Sequence, residues 1–130
     1  MLFSCKSKKF CLEESSELSL KEGFFREIPT GVYNGISTAE ITIVFNDFNI
    51  DDIEIKGFYF RNKFIGEKLN SNNFLLKGSI KLDQNNEDIP FKLENSETVI
   101  SYLKKGKQKF IKFSLKKISN SIDNVPMEKN

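Results

Sequence analysis

Glu97-Thr98-Val99-Ile100-Ser101-Tyr102-Leu103 and Lys109-Phe110-Ile111-Lys112-Phe113-Ser114-Leu115 are joined through Lys104-Lys105-Gly106-Lys107. These two runs decide the fold class. Both are rich in β-branched and aromatic residues, and the short Lys/Gly stretch between them suits a tight reversal. In the second run Ile111, Phe113 and Leu115 face one way, while Lys112 and Ser114 face the other. That is the two-residue period of a strand with one buried face. An antiparallel hairpin is expected.

The same period recurs upstream. Between Thr38 and Phe45, Ile41, Ile43 and Phe45 alternate with Glu40, Thr42 and Val44. From Asp52 to Phe60, alternation puts Ile53, Ile55, Gly57 and Tyr59 on one face and Glu54, Lys56, Phe58 and Phe60 on the other. The later half of that run is apolar on both faces, which predicts a central position in a sheet. Phe74, Leu76, Gly78, Ile80 and Leu82 alternate with Leu75, Lys77, Ser79 and Lys81. Shorter strands are expected at Gly23–Ile28, Phe64–Leu69 and Pro90–Leu93. Asn46–Asn49, Arg61-Asn62-Lys63, Asn70–Asn73 and Asp83–Asp88 are turn or loop signals. No stretch longer than about ten residues has helical periodicity. The expected fold is all-β: an antiparallel β-sandwich or partly open barrel of about seven to eight strands, with disordered termini.

The chain has 130 residues, enough for one domain with a core of its own. Thirteen phenylalanines and no tryptophan point to a core built on Phe. The formal charge of +2 implies nothing about partners. No apolar run reaches the roughly 18 residues of a membrane span. Both cysteines, Cys5 and Cys11, lie near the N-terminus, where a disulfide would close only a small loop. Histidine is absent. Ser-His and Cys-His catalytic pairs are therefore excluded, as are ordinary zinc sites. An enzyme is not expected, nor is a cofactor.

The first residues, Met1-Leu2-Phe3-Ser4-Cys5, have the form of a lipoprotein signal's end: an apolar pair, a small residue and a cysteine. Cys5 is the expected lipidation site, with the charged and apolar regions of such a signal upstream of Met1; the competing account is a chance match in which Cys5 is an ordinary free cysteine of a frayed N-terminus. Residues 1–21 then read as a lipid-anchor tether or flexible segment, 22–118 as the β domain, and 119–130 as a flexible tail. Three stretches carry a resemblance: Phe3-Ser4-Cys5-Lys6; the run Ile53-Glu54-Ile55-Lys56-Gly57-Phe58-Tyr59-Phe60-Arg61-Asn62-Lys63; and residues 89–113, from Ile89-Pro90-Phe91 through the Lys-Lys-Gly-Lys turn to Phe113. In these the chain resembles small uncharacterised lipoproteins of the Bacteroidetes, especially flavobacteria. The resemblance implies a lipid-anchored, periplasm-facing β domain of the cell envelope. It lends no catalytic residue.

Three groups of residues are candidate sites. Asp47-Phe48-Asn49-Ile50-Asp51-Asp52 has the spacing of the start of a calcium loop. An EF-hand needs Gly at its sixth place and Glu at its twelfth, where this chain has Asp52 and Phe58. A connecting turn is the expectation, with no metal. Lys104, Lys105 and Lys107 lead a basic hairpin continued by Lys109, Lys112, Lys116 and Lys117, and could touch an anionic surface. The competing account is a solvated hairpin whose lysines discourage edge pairing. Phe58, Phe60 and Phe64, with Tyr59, could form an aromatic patch, or belong to a Phe-rich core. Only two arginines are present and no basic groove with interleaved aromatics is evident, so nucleic acid is not an expected partner. The expected function is non-enzymatic: a monomeric, membrane-anchored envelope domain that binds an unknown protein partner or is structural. The alternative is a small apolar-ligand-binding sandwich or barrel. The two differ in whether the interior is filled or hollow.

Overall fold

The computed structural model describes residues 12–13, 17–28, 38–82 and 89–118. Eight strands run in chain order: β1 (Leu20–Ile28), β2 (Thr38–Phe45), β3 (Ile53–Phe60), β4 (Lys63–Ile65), β5 (Leu75–Lys81), β6 (Glu97–Lys104), β7 (Lys107–Ser114) and β8 (Lys116–Lys117). They form two four-stranded sheets, ordered β5-β2-β1-β8 and β4-β3-β6-β7, so the fold is a sandwich and not a closed barrel. Every pairing is antiparallel except β1 with β8.

The anchoring hairpin is β6–β7, whose turn is shorter than the four residues quoted above. Lys104 pairs with Lys107, leaving Lys105 (φ 50°) and Gly106 (φ 82°) as the two central residues. The β3–β4 hairpin repeats the device: Phe60 pairs with Lys63 around Arg61 (φ 50°) and Asn62 (φ 69°). Positive φ at both central residues gives the reversal a twist that matches the strands it joins.

The core lies between the sheets. Phe25, Ile41, Ile43, Phe45 and Leu76 from one sheet face Ile53, Phe58, Phe60, Ile100 and Tyr102 from the other, all buried. Leu115 closes one side of the sandwich as the chain passes from β7 to β8. The second sheet is apolar on its outer face too. There Val99 and Phe110 pack with Tyr59 beneath Phe91, Leu93 and Leu12. Residues 90–93 therefore make no strand, contrary to the sequence expectation. They cross the sheet's outer face and are held by their apolar side chains, not by a backbone ladder.

Strict alternation also fails within β3. Ile55 lies opposite Tyr102 but Gly57 lies opposite Ser101, so Lys56 is an extra residue, a β-bulge. The bulge flips the side-chain parity. Ile53, Ile55, Phe58 and Phe60 all reach the core face, and Tyr59 turns outward. Gly57 itself has φ 151°. A Cβ there would collide with the carbonyl oxygen of Ile65 and lie 2.7 Å from the Phe64 ring.

The β domain begins earlier than residue 22. Leu18 is only 2% exposed and belongs to the core, and β1 starts at Leu20. Leu12 bridges Phe110, while the Glu13 N–H donates to the Phe110 carbonyl at 2.7 Å. These described parts of the expected tether pack on the domain because leucines punctuate a polar segment. Residues 1–11 and the expected tail at 119–130 lie outside the described residues.

Candidate functional site

The residues proposed from sequence do not converge on one place. Cys5 lies outside the described residues. Phe58 and Phe60 are fully buried between the sheets and present no surface. Phe64, 40% exposed, is on the opposite face, its ring 4.8 Å from that of Tyr59. An aromatic patch of Phe58, Phe60 and Phe64 therefore does not form, because Phe64 pairs with Tyr59 and shares its face of the sheet, opposite that of Phe58 and Phe60. Tyr59 joins Phe91 at 5.1 Å and, through it, Phe110 at a further 5.1 Å. Burial raises the Tyr59 phenol above its ordinary pKa.

The basic hairpin is drawn into ion pairs. Lys104 meets Glu17 at 3.1 Å, Lys109 meets Glu13 at 3.8 Å, Lys112 meets Glu97 at 3.6 Å and Lys117 meets Glu27 at 3.4 Å. Each exposed pair is worth under about 1 kcal/mol, yet each lowers the local positive field. Lys105 and Lys107 are exposed at the tip and carry no ion pair among the described residues.

The Asp47–Asp52 segment is a turn organised by Asn49. Its side-chain oxygen accepts from the Asp51 N–H at 2.9 Å, and its carbonyl accepts from Asp52 and Ile53 at 3.0 and 3.1 Å. Phe48 roots this turn between Phe45 and Phe74. Ile50 is left at the apex, 52% exposed.

Two features were hidden in the sequence. One is a clamp at the other end of the sandwich. The Arg61 guanidinium lies 5.2 Å above the Phe25 ring and 5.1 Å above the Phe60 ring, bridging the two sheets. Its Nη2 donates to Glu27 Oε2 at 2.7 Å and its Nε to the Asn95 carbonyl at 2.9 Å. The Arg61 hydrogen bond, opposed by desolvation and helped by the charges of Arg61 and Lys117, holds the Glu27 carboxyl below its ordinary pKa. The clamp is structural, and its pH dependence follows from the sign of that shift. A depressed carboxylate stabilises the fold above its unfolded pKa of about 4.3, and the contribution disappears as pH falls through the lower folded value. Urea unfolding of Arg61→Met should show about 1–3 kcal/mol less stability at pH 7. Its loss of stability below about pH 4 should be shallower than that of the parent. Parallel acid limbs would remove this pair from the account.

The other hidden feature is a groove along β3. β4 pairs only with Phe58–Phe60, and the chain leaves β3 after Ile65. It then crosses to Asn70, which bridges Leu75 in the opposite sheet. Among the described residues no strand lies beside Ile53–Lys56 on that side. The opening has a volume of about 310 Å³, with Ile50, Ile55 and Leu69 as apolar lining and Glu54, Lys56 and Lys68 at its rim. A second opening of about 310 Å³ lies on the other side of Ile50, toward Lys105 and Gly106.

Comparison with protein families, with curated proteins and with solved structures gives no significant match.

Proposed function

We propose that this chain is a non-enzymatic, lipid-anchored envelope domain that recognises a protein partner through its surface. The observation that carries the reading is the filled interior. Large side chains from both sheets, Phe25, Phe45, Phe58, Phe60 and Tyr102 among them, occupy the space where a sandwich that takes up an apolar ligand would be hollow. The described openings are instead exterior and have charged rims. The anchor is supported by Leu2-Phe3-Ser4-Cys5 and by the likeness of three stretches to flavobacterial lipoproteins. It would place the domain on a membrane, facing the periplasm, with the sandwich itself monomeric.

Metabolic labelling with a palmitate analogue, in a flavobacterial host expressing the gene with its own upstream sequence, tests the anchor. The parent should be labelled and Cys5→Ser should not. Equal labelling of both would remove the anchor. Titration of the purified domain with a fluorescent fatty acid tests the interior, and no saturable uptake is expected. Saturable binding that shifts core amides such as Ile41 and Ile100 would favour the apolar-ligand reading instead.

A further inference from the structure

The backbone of β3 at the groove is not fully used. The Asp52 carbonyl accepts from the Lys105 N–H at 2.8 Å, which makes 52 and 105 a hydrogen-bonded pair. In an antiparallel ladder such pairs alternate, so Glu54 with Leu103 is the next. The intervening Ile53 and Ile55 therefore turn their N–H and C=O groups away from β6, toward the groove. The Ile53 N–H is taken by the Asn49 carbonyl at 3.1 Å. The Ile53 carbonyl and both backbone groups of Ile55 find no partner among the described residues.

From this edge we infer a binding site for an extended segment of a partner protein, which adds as a short strand beside Ile53–Ile55. The inference rests on reading the domain as a surface-recognition module and names its site. Donors and acceptors at strand spacing match another main chain better than they match a headgroup or a sugar. The added segment would continue the line that β4 abandons at Gly66. The bulge at Lys56 limits its pairing to about three residues. One apolar side chain fits between Ile50, Ile55 and Leu69. Glu54 and Lys56 neutralise each other at 3.6 Å, whereas Lys68 has no ion pair among the described residues. The rim is thus net positive, and an acidic side chain near the apolar one completes the match. This edge differs from that of β7, which Leu12 and Glu13 already occupy.

The test is selection from a phage-displayed library of random decapeptides against the folded full chain, followed by amide chemical-shift mapping with the enriched peptide. The expected sequences place an acidic residue close to a large apolar one. Shifts should concentrate at Ile50, Ile53–Lys56 and Leu69, and exchange of the Ile55 amide should slow about tenfold or more on binding. Lys68→Glu and Ile50→Asp, both on the surface, should each weaken binding about tenfold. Lys81→Glu, at the opposite end of the sandwich, should not weaken it. Peptides that map elsewhere, or no enrichment, would overturn the β3 site and leave the surface-recognition reading standing. Concentration-dependent dimerisation through Ile53–Lys56 would overturn it too, because the occupant would then be a second copy. Fatty-acid uptake into the core would instead remove the reading beneath it.

Discussion

Gly57→Ala should destabilise the domain by about 3–5 kcal/mol, measured as the change in unfolding free energy from urea denaturation. Two independent costs combine. The added Cβ meets the Ile65 backbone and the Phe64 ring, so β4 must move away from β3, an overpacking cost of about 1–3 kcal/mol. The φ of 151° is foreign to an alanine and adds strain of about 1–3 kcal/mol. Gly66→Ala is the matched control. A Cβ there would come only to 3.4 Å from the Phe64 ring, and its cost should stay within about 1 kcal/mol. If the two substitutions cost the same, β3 carries no bulge and its alternation runs unbroken.

The second large effect separates two aromatic residues four positions apart. Phe60→Ala should cost about 3–5 kcal/mol, since it empties a fully buried site. It also withdraws the ring beneath Arg61 and the 5.2 Å contact with Phe25. Phe64→Ala removes a ring that is 40% exposed and should cost no more than about 1 kcal/mol. Thermal unfolding of the two variants side by side gives the comparison. A larger loss for Phe64 would mean that the outer aromatic layer, not the space between the sheets, holds the fold together.

Side-chain alternation made most strands legible. Thr38–Phe45 coincides with β2, and the runs beginning at Glu97 and ending at Phe60 match strand termini. Alternation fails where a strand is defined by something other than side chains. Lys116 and Lys117 carry no apolar signal, yet they pair with Phe24 and Phe25 in a two-residue parallel ladder, with Lys117 also reaching Glu27 of β1 at 3.4 Å. Pro90–Leu93 has the right composition, but Phe91 and Leu93 serve as plugs over the outer face of a sheet. The bulge at Lys56 is a one-residue insertion in pairing, visible only against β6. Gly57 was its one trace in the sequence. Of the site, the alternation of Ile53 and Ile55 with Glu54 and Lys56 marks a strand. That their backbone is left uncovered depends on where β4 stops, which side-chain pattern does not encode. Arg61 sat in plain view between aromatics, but its partners Glu27 and Asn95 are far away in sequence.

The parallel pairing of β8 with β1 has a kinetic meaning. The β3–β4 and β6–β7 hairpins close over two residues each, and they can form within microseconds of collapse. The first sheet has no such shortcut on its outer side. Phe24 and Phe25 receive their neighbour only when Lys116 and Lys117 arrive from the far end of the domain. Loop closure of that span precedes any reward from the contact. The β1–β8 pairing is therefore expected to form late, with the edge of β1 open until it does. During that interval a neighbouring copy can compete for the same edge. The brevity of β8 and its two lysines limit how attractive that competition is, since charge on a short edge opposes pairing between molecules.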